Sequence, residues 1–298
     1  MTRKRVVNEG PGRTDGRQAR ERLLARIPLT ERRRELAGVS TAVLEGGAGP
    51  PVVVLHGIGQ AAVVWIRAIP GLAATRSVVL PDLPGQGDSE AGGGTLDAGR
   101  VLDWLGELIE ATCPAPPVLV GQNIGGAIAA RFASEHRARL GGLLLVDSFG
   151  LGPFRPAPRF ALRMIAFQAR ATERTQDRLL GACMVDADGV RDRWGEDWDL
   201  VTAYALERSR TPSVKAAGRS LMKAFGLPAI PEAELDRIDV PVTLVWGRED
   251  PEARLRFGQA ASARYGWPLH IIDRCGADPN VEHPEALLAA AHSALAPS

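Results

Sequence analysis

The segment with the most chemical content is Gly121-Gln122-Asn123-Ile124-Gly125-Gly126. It follows the apolar run Pro117–Val120 and precedes the helix-like stretch Ala127–Ala133. A Gly-x-x-x-Gly turn between a strand and a helix is the form of a nucleophile elbow, whose middle residue is normally Ser, Cys or Asp. Here that residue is Asn123. A carboxamide is a poor nucleophile, and no neighbouring base can activate it as it would a hydroxyl. The spacing therefore speaks for the architecture and against acyl-enzyme chemistry. The chain has no Gly-x-Gly-x-x-Gly phosphate loop and no clustered metal ligands, so neither a cofactor nor a metal is expected.

The elements around the turn read as strands alternating with helices. Val39–Glu45, Pro51–Leu55, Ser77–Leu80, Pro117–Val120 and Gly142–Val146 are predicted strands, with helices over 61–73 and 96–112. The alternation stops near Phe149. It resumes with a strand at Val242–Trp246, a helix over 252–264, a strand at Leu269–Ile272 and a helix over 284–295. Such alternation predicts a doubly wound, mostly parallel α/β sheet. The intervening segment reads as helices only. This gives a basic tail and short helix over 1–30, a core over 31–149 and 236–298, and an inserted helical cap over 150–235.

Several motifs in a fixed order resemble those of the α/β-hydrolase superfamily. Leu55-His56-Gly57-Ile58-Gly59, with Trp65 downstream, resembles its oxyanion loop. Asp82–Ser89 resembles its Asp-x-Pro-Gly-x-Gly-x-Ser loop, and Gly121–Gly126 its elbow. Trp246-Gly247-Arg248-Glu249-Asp250 resembles the strand end that carries the catalytic acid. Gly276-Ala277-Asp278-Pro279-Asn280-Val281-Glu282-His283-Pro284 resembles the stretch Gly-His-x-Pro-x-x-Glu-x-Pro, with Ala277 in the histidine slot.

The resemblance thus implies the fold but leaves only Asp250 of a triad. Losing triad members costs on the order of 10⁶ in rate in a well-studied protease, the remainder coming from the oxyanion hole and binding. A backbone oxyanion hole survives side-chain substitution, so the amides of Ile58 and Ile124, with Gly57, His56 and Trp65 nearby, are expected to hold a substrate carbonyl. The superfamily's elbow residue has positive φ, which Asn tolerates. Asn123 is thus either a comfortable remnant or a substrate anchor. Asp278 either caps a turn in solvent or faces Asp250; two carboxylates sharing a site would raise one pKa and supply acid–base chemistry without imidazole. His283 is expected to be a solvated residue at a helix start.

These readings predict an atypical enzyme acting on a small, apolar, carbonyl-bearing molecule by cyclisation, lyase chemistry, rearrangement or dehydration, in a setting such as secondary-metabolite tailoring. The alternatives are a non-catalytic pseudo-hydrolase that binds a small molecule, and a hydrolase in which Asp250 activates water. Met and aromatic residues over 150–235 suit an apolar ligand. Residues 1–34 hold eleven Lys or Arg against four acids, so the remainder sums to −6 within a net charge of +1. The tail has no aromatic residue to stack on bases, and neither nucleic acid nor membrane is expected as a partner; a homodimer is left open. Three cysteines and no apolar leader suit a reducing cytoplasm.

Overall fold

The computed structural model describes residues 15–295; the extreme basic tail, residues 1–14, lies outside the described residues. Eight strands form one sheet: β1 (Thr30–Leu36), β2 (Val39–Gly46), β3 (Pro51–Leu55), β4 (Ser77–Pro81), β5 (Val118–Gln122), β6 (Gly142–Val146), β7 (Val242–Gly247) and β8 (Leu269–Ile272). Their order across the sheet is β1-β2-β4-β3-β5-β6-β7-β8. The β1–β2 and β2–β4 pairs are antiparallel, and every pair from β4 onward is parallel. β3 and β6 are buried along their whole length, as expected of central strands covered on both faces.

The expected helix over 61–73 is instead a single 3₁₀ turn, Ala62–Trp65, followed by α2 (Ile69–Ala73). β1 had no forecast. Its sequence Thr-Glu-Arg-Arg-Arg-Glu-Leu lacks apolar alternation, because it is an edge strand with largely exposed side chains. Cross-strand charge pairs help hold it: Arg34 Nε and Nη2 donate to the two carboxylate oxygens of Glu45 at 2.6 and 3.0 Å.

The N-terminal helix is α1 (Gly16–Leu24). It packs against α8 (Glu196–Arg210). Arg22 and Arg26 pair with Glu196, and Arg26 also with Asp197. Arg20 is buried between Glu31 and Asp82.

On the core, α3 (Ala98–Thr112) and α4 (Ile124–Glu135) flank the central strands; α11 (Leu255–Tyr265), α12 (Pro279–Glu282) and α13 (Pro284–Leu295) close the second half. Between β6 and β7 the chain forms only helices: α5 (Pro158–Ala169), α6 (Glu173–Cys183), α7 (Ala187–Trp194), α8, α9 (Pro212–Leu221), a π-turn over Met222–Gly226, and α10 (Glu232–Leu235). The chain leaves β3 toward β4 on one side and returns as β5 on the other. The carboxyl ends of β3 and β5 therefore open a crevice, the usual ligand position in open α/β sheets.

Candidate functional site

Asn123 occupies the turn between β5 and α4 with φ 54° and ψ −115°. The glycines around it are sterically required. A Cβ on Gly121 would lie 2.5 Å from the Gly125 carbonyl oxygen, and one on Gly125 would lie 2.5 Å from that of Leu55. The turn thus presses against the end of β3 and presents one side chain at the crevice.

That side chain turns back on its own backbone. Asn123 Oδ1 accepts the Ile124 N–H at 2.8 Å and lies 3.5 Å from the Ile58 N–H donor. These are the two amides expected to receive a substrate carbonyl, so that expectation is corrected: the carboxamide oxygen fills the oxyanion hole. Asn123 Nδ2 donates to Glu252 Oε2 at 3.2 Å. The opposite amide orientation would set donor against donor at the Ile124 N–H, so the network fixes which end is oxygen. A carboxamide converts two backbone donors into one side-chain donor set further into the cavity.

The cavity has a volume of about 640 Å³. Gly57, Ile58, Asn123, Glu252 and Asp278 border it at the strand ends, and Phe160, Met164, Phe167, Trp194, Trp198 and Met222 border it on the helical side. The expected apolar lining is present.

Asp278 does not point to solvent. Its Oδ1 accepts from Gln60 Nε2 at 2.5 Å and Gln122 Nε2 at 3.2 Å. Burial pushes its carboxyl up to about 6, against the opposing pull of these two donors. Glu282, buried nearby, accepts the Val185 and Gly276 N–H groups at 2.8 and 2.7 Å and so fixes the loop that carries Asp278.

Asp250 is corrected. Its Oδ1 accepts the backbone N–H groups of Glu252 and Ala253 at 2.6 and 3.1 Å, and it does not border the cavity. Burial raises it to about 7, and Asp278 is near enough to add to the rise. The buried Asp147 carboxyl interacts with it as well. Asp147 is fully buried at φ 44° and accepts the Gly247 N–H at 2.8 Å. The second oxygens of Asp147 and Asp250 are buried and meet no protein donor; a proton shared between the two carboxyls would satisfy both. Burial, then the nearby Asp250, raises Asp147 well above the usual carboxylate range.

Two further expectations are corrected. His56 is fully buried; its Nδ1 bonds the Gly57 carbonyl at 2.8 Å and its Nε2 accepts the Leu83 N–H at 3.0 Å. Burial lowers its pKa despite Asp82, so it is a neutral brace for the loop and touches no ligand space. Trp65 is a core residue away from the cavity wall. His283 bonds the Arg274 carbonyl at 2.8 Å and also lies off the cavity. Cys183 borders the cavity with Sγ 3.8 Å from Glu252 Oε1. Burial and Glu252 push its thiol well up, which disqualifies it as a replacement nucleophile.

Glu252, Gln60, Gln122 and Asp147 had no forecast. The signal for Glu252 lay two residues past Asp250, where the loop after β7 re-enters the crevice. Its carboxyl is also raised well above its ordinary value by burial, then by Asp250 and Asp278.

The acids make a stability prediction. Each has a folded pKa above its unfolded value, so folding takes up protons, and this stabilisation is present at low pH and lost as pH rises from about 4 through about 7. Ionising Asp250 alone costs on the order of 4 kcal/mol. We expect the melting temperature to fall by roughly 10 °C between pH 5 and pH 8, and Asp250→Asn to flatten the profile. A stability that stays level or rises over that interval would exclude this account of the cluster.

Comparison with known proteins agrees with the geometry. The model of the alpha/beta hydrolase family matches residues 52–291. The pimeloyl-[acyl-carrier protein] methyl ester esterase of Aeromonas hydrophila is 28% identical over 265 residues, covering 84% of this chain and 97% of that protein. The 2-hydroxy-6-oxo-6-phenylhexa-2,4-dienoate hydrolase of Burkholderia cepacia is 28% identical over 258 residues, covering 81% of this chain and 86% of that protein. The solved structure of an enzyme of that same name from Rhodococcus sp. superposes with a TM-score of 0.77 at 26% identity, covering 90% of this chain and 98% of that one. These relatives are hydrolases. With its mostly parallel eight-stranded sheet, its elbow and a match over most of its length, this chain belongs to the α/β-hydrolase family.

Proposed function

We propose that the chain is an enzyme of non-triad chemistry, which removes and returns a proton beside the carbonyl of a small apolar substrate. The observation that carries this reading is the pair of carboxyl groups, Asp278 and Glu252, bordering one apolar cavity with Asn123. Asp278, raised to about 6, is ionised at neutral pH yet basic enough to take a carbon-bound proton. Glu252 remains protonated and, with the Asn123 carboxamide N–H, stabilises the enolate oxygen. From an enolate, return of the proton elsewhere gives isomerisation, attack on an internal electrophile gives cyclisation, and loss of a leaving group gives dehydration or a lyase reaction. A tailoring step on a secondary metabolite fits such chemistry. Water activation by Asp250 fits poorly, because that carboxyl does not border the cavity.

The test needs no natural substrate. Apolar 1,3-diketones and aryl ketones are incubated with the protein in D₂O, and deuterium entry at the carbon next to the carbonyl is followed by NMR. Catalysed exchange is expected, with no labelling by a fluorophosphonate probe. Ketones that bind tightly without exchange would replace this reading with a non-catalytic receptor, which the self-filled oxyanion hole also suits. A covalent fluorophosphonate adduct would overturn both.

A further inference from the structure

The two stretches of helical insertion that flank the cavity entrance have an unusual charge pattern. Residues 148–172 contain four Arg and no Asp or Glu, and residues 208–231 contain five Lys or Arg and no Asp or Glu. The whole chain has a net charge of only +1, so these segments concentrate positive charge. Several basic side chains elsewhere are paired, such as Arg33 with Asp88, Arg191 with Asp177 and Arg264 with Glu232. Among the described residues, the exposed Arg159, Arg170, Arg219 and Lys223 form no ion pair.

The same surface exposes large apolar side chains. α5 has two apolar faces. Phe160, Met164 and Phe167, at helical spacing, line the cavity. On the outer face Leu162 and Ile165 are 70% and 65% exposed, with Arg159 at the start of the same helix and Arg170 just past its end. Leu227 is 53% exposed. Gln168, Arg219 and Leu227 are exposed and also border the cavity, so the mouth opens between the end of α5 and the region of α9. Lys215 Nζ spans it to the Gln168 carbonyl at 3.5 Å.

Apolar side chains beside uncompensated cations are the combination that seats a helix in the headgroup layer of an anionic membrane. A purely electrostatic protein partner would not call for protruding Leu and Ile. We propose that this mouth-side face docks peripherally on an anionic lipid surface, so that apolar ligands enter the cavity from the bilayer. This runs against the sequence expectation of no membrane partner. No described helix is long and apolar enough to cross a membrane, so the contact is with the surface. The inference is independent of the proton-transfer reading: lipid docking serves a receptor and an enzyme equally.

The test is co-sedimentation of the full chain with vesicles of phosphatidylcholine alone and of equal parts phosphatidylcholine and phosphatidylglycerol. Binding is expected to the mixed vesicles, at least about tenfold tighter than to the neutral ones, and weakening as salt is raised. Arg159→Ala with Arg170→Ala should lower the affinity by about tenfold or more, and Leu162→Ser with Ile165→Ser should lower it similarly. All four side chains face solvent; should a variant nonetheless fail to fold, the lipid and salt dependence of the unchanged chain decides. Equal binding to both vesicles, or none, would overturn the proposal. So would a dimer in light scattering that Leu162→Ser with Ile165→Ser dissociates while vesicle binding is unchanged.

Discussion

Asp278→Asn is expected to slow carbonyl-adjacent deuterium exchange by about 10²–10⁴-fold, the usual contribution of a positioned acid or base, with KM changed only a few-fold. The substitution isolates the proton from the scaffold. Asp278 Oδ1 accepts from Gln60 and Gln122, and an Asn oxygen can accept the same two bonds. The loop stays held by Glu282, through Gly276 and Val185. Only the titratable oxygen is lost. In the unchanged protein, exchange should rise as pH passes about 6, where Asp278 ionises. Gln60→Ala removes a donor that favours the carboxylate, so it should move that rise to higher pH. A structural role for Asp278 would alter stability but would not shift the profile. Glu252→Gln should cost less, because a Gln oxygen can keep the Asn123 contact and the Asn123 N–H still polarises the carbonyl.

The family and the sheet were legible because they rest on local patterns: β-branched runs for the central strands, and glycines at 121 and 125 that no other residue can replace without collision. Asn123 and Ala277 were legible as departures, since a motif fixes which positions to inspect. Sequence patterns could not give the direction in which side chains turn. Asp250 stands where the family's acid stands, yet the buried carboxyl that it interacts with, Asp147, lies 103 positions earlier in the chain, at the end of a neighbouring parallel strand. Glu252 and the two glutamines became relevant only when the ends of β3, β5 and β7 were brought together. β1 has no sequence signature because an edge strand stabilised by cross-strand charge carries no apolar alternation. Trp65 follows the oxyanion loop in sequence, but the 3₁₀ turn directs it into the core.

The interaction of Asp250 with Asp147 also sets the outcome of restoring a triad. Asn123→Ser removes the carboxamide oxygen from the Ile124 and Ile58 amides and reopens the oxyanion hole, but supplies no base. Asn123→Ser combined with Ala277→His supplies both nucleophile and imidazole, and should react with a fluorophosphonate probe that leaves the parent untouched. A complete triad is worth on the order of 10⁶ in rate, while one whose histidine lacks an orienting carboxylate loses about 10⁴ of that. With Asp250 interacting with Asp147, the double variant is therefore expected to hydrolyse a p-nitrophenyl ester only about 10²-fold faster than the parent. Adding Asp147→Asn removes the second titrating carboxyl beside Asp250 and should raise the rate further. If the double variant already shows full esterase activity, Asp250 is free to serve an imidazole, and Asp147 does not hold it. If the triple variant gains nothing, the obstacle is the space at position 277, where a buried alanine beside the Cys183 carbonyl must yield to a ring.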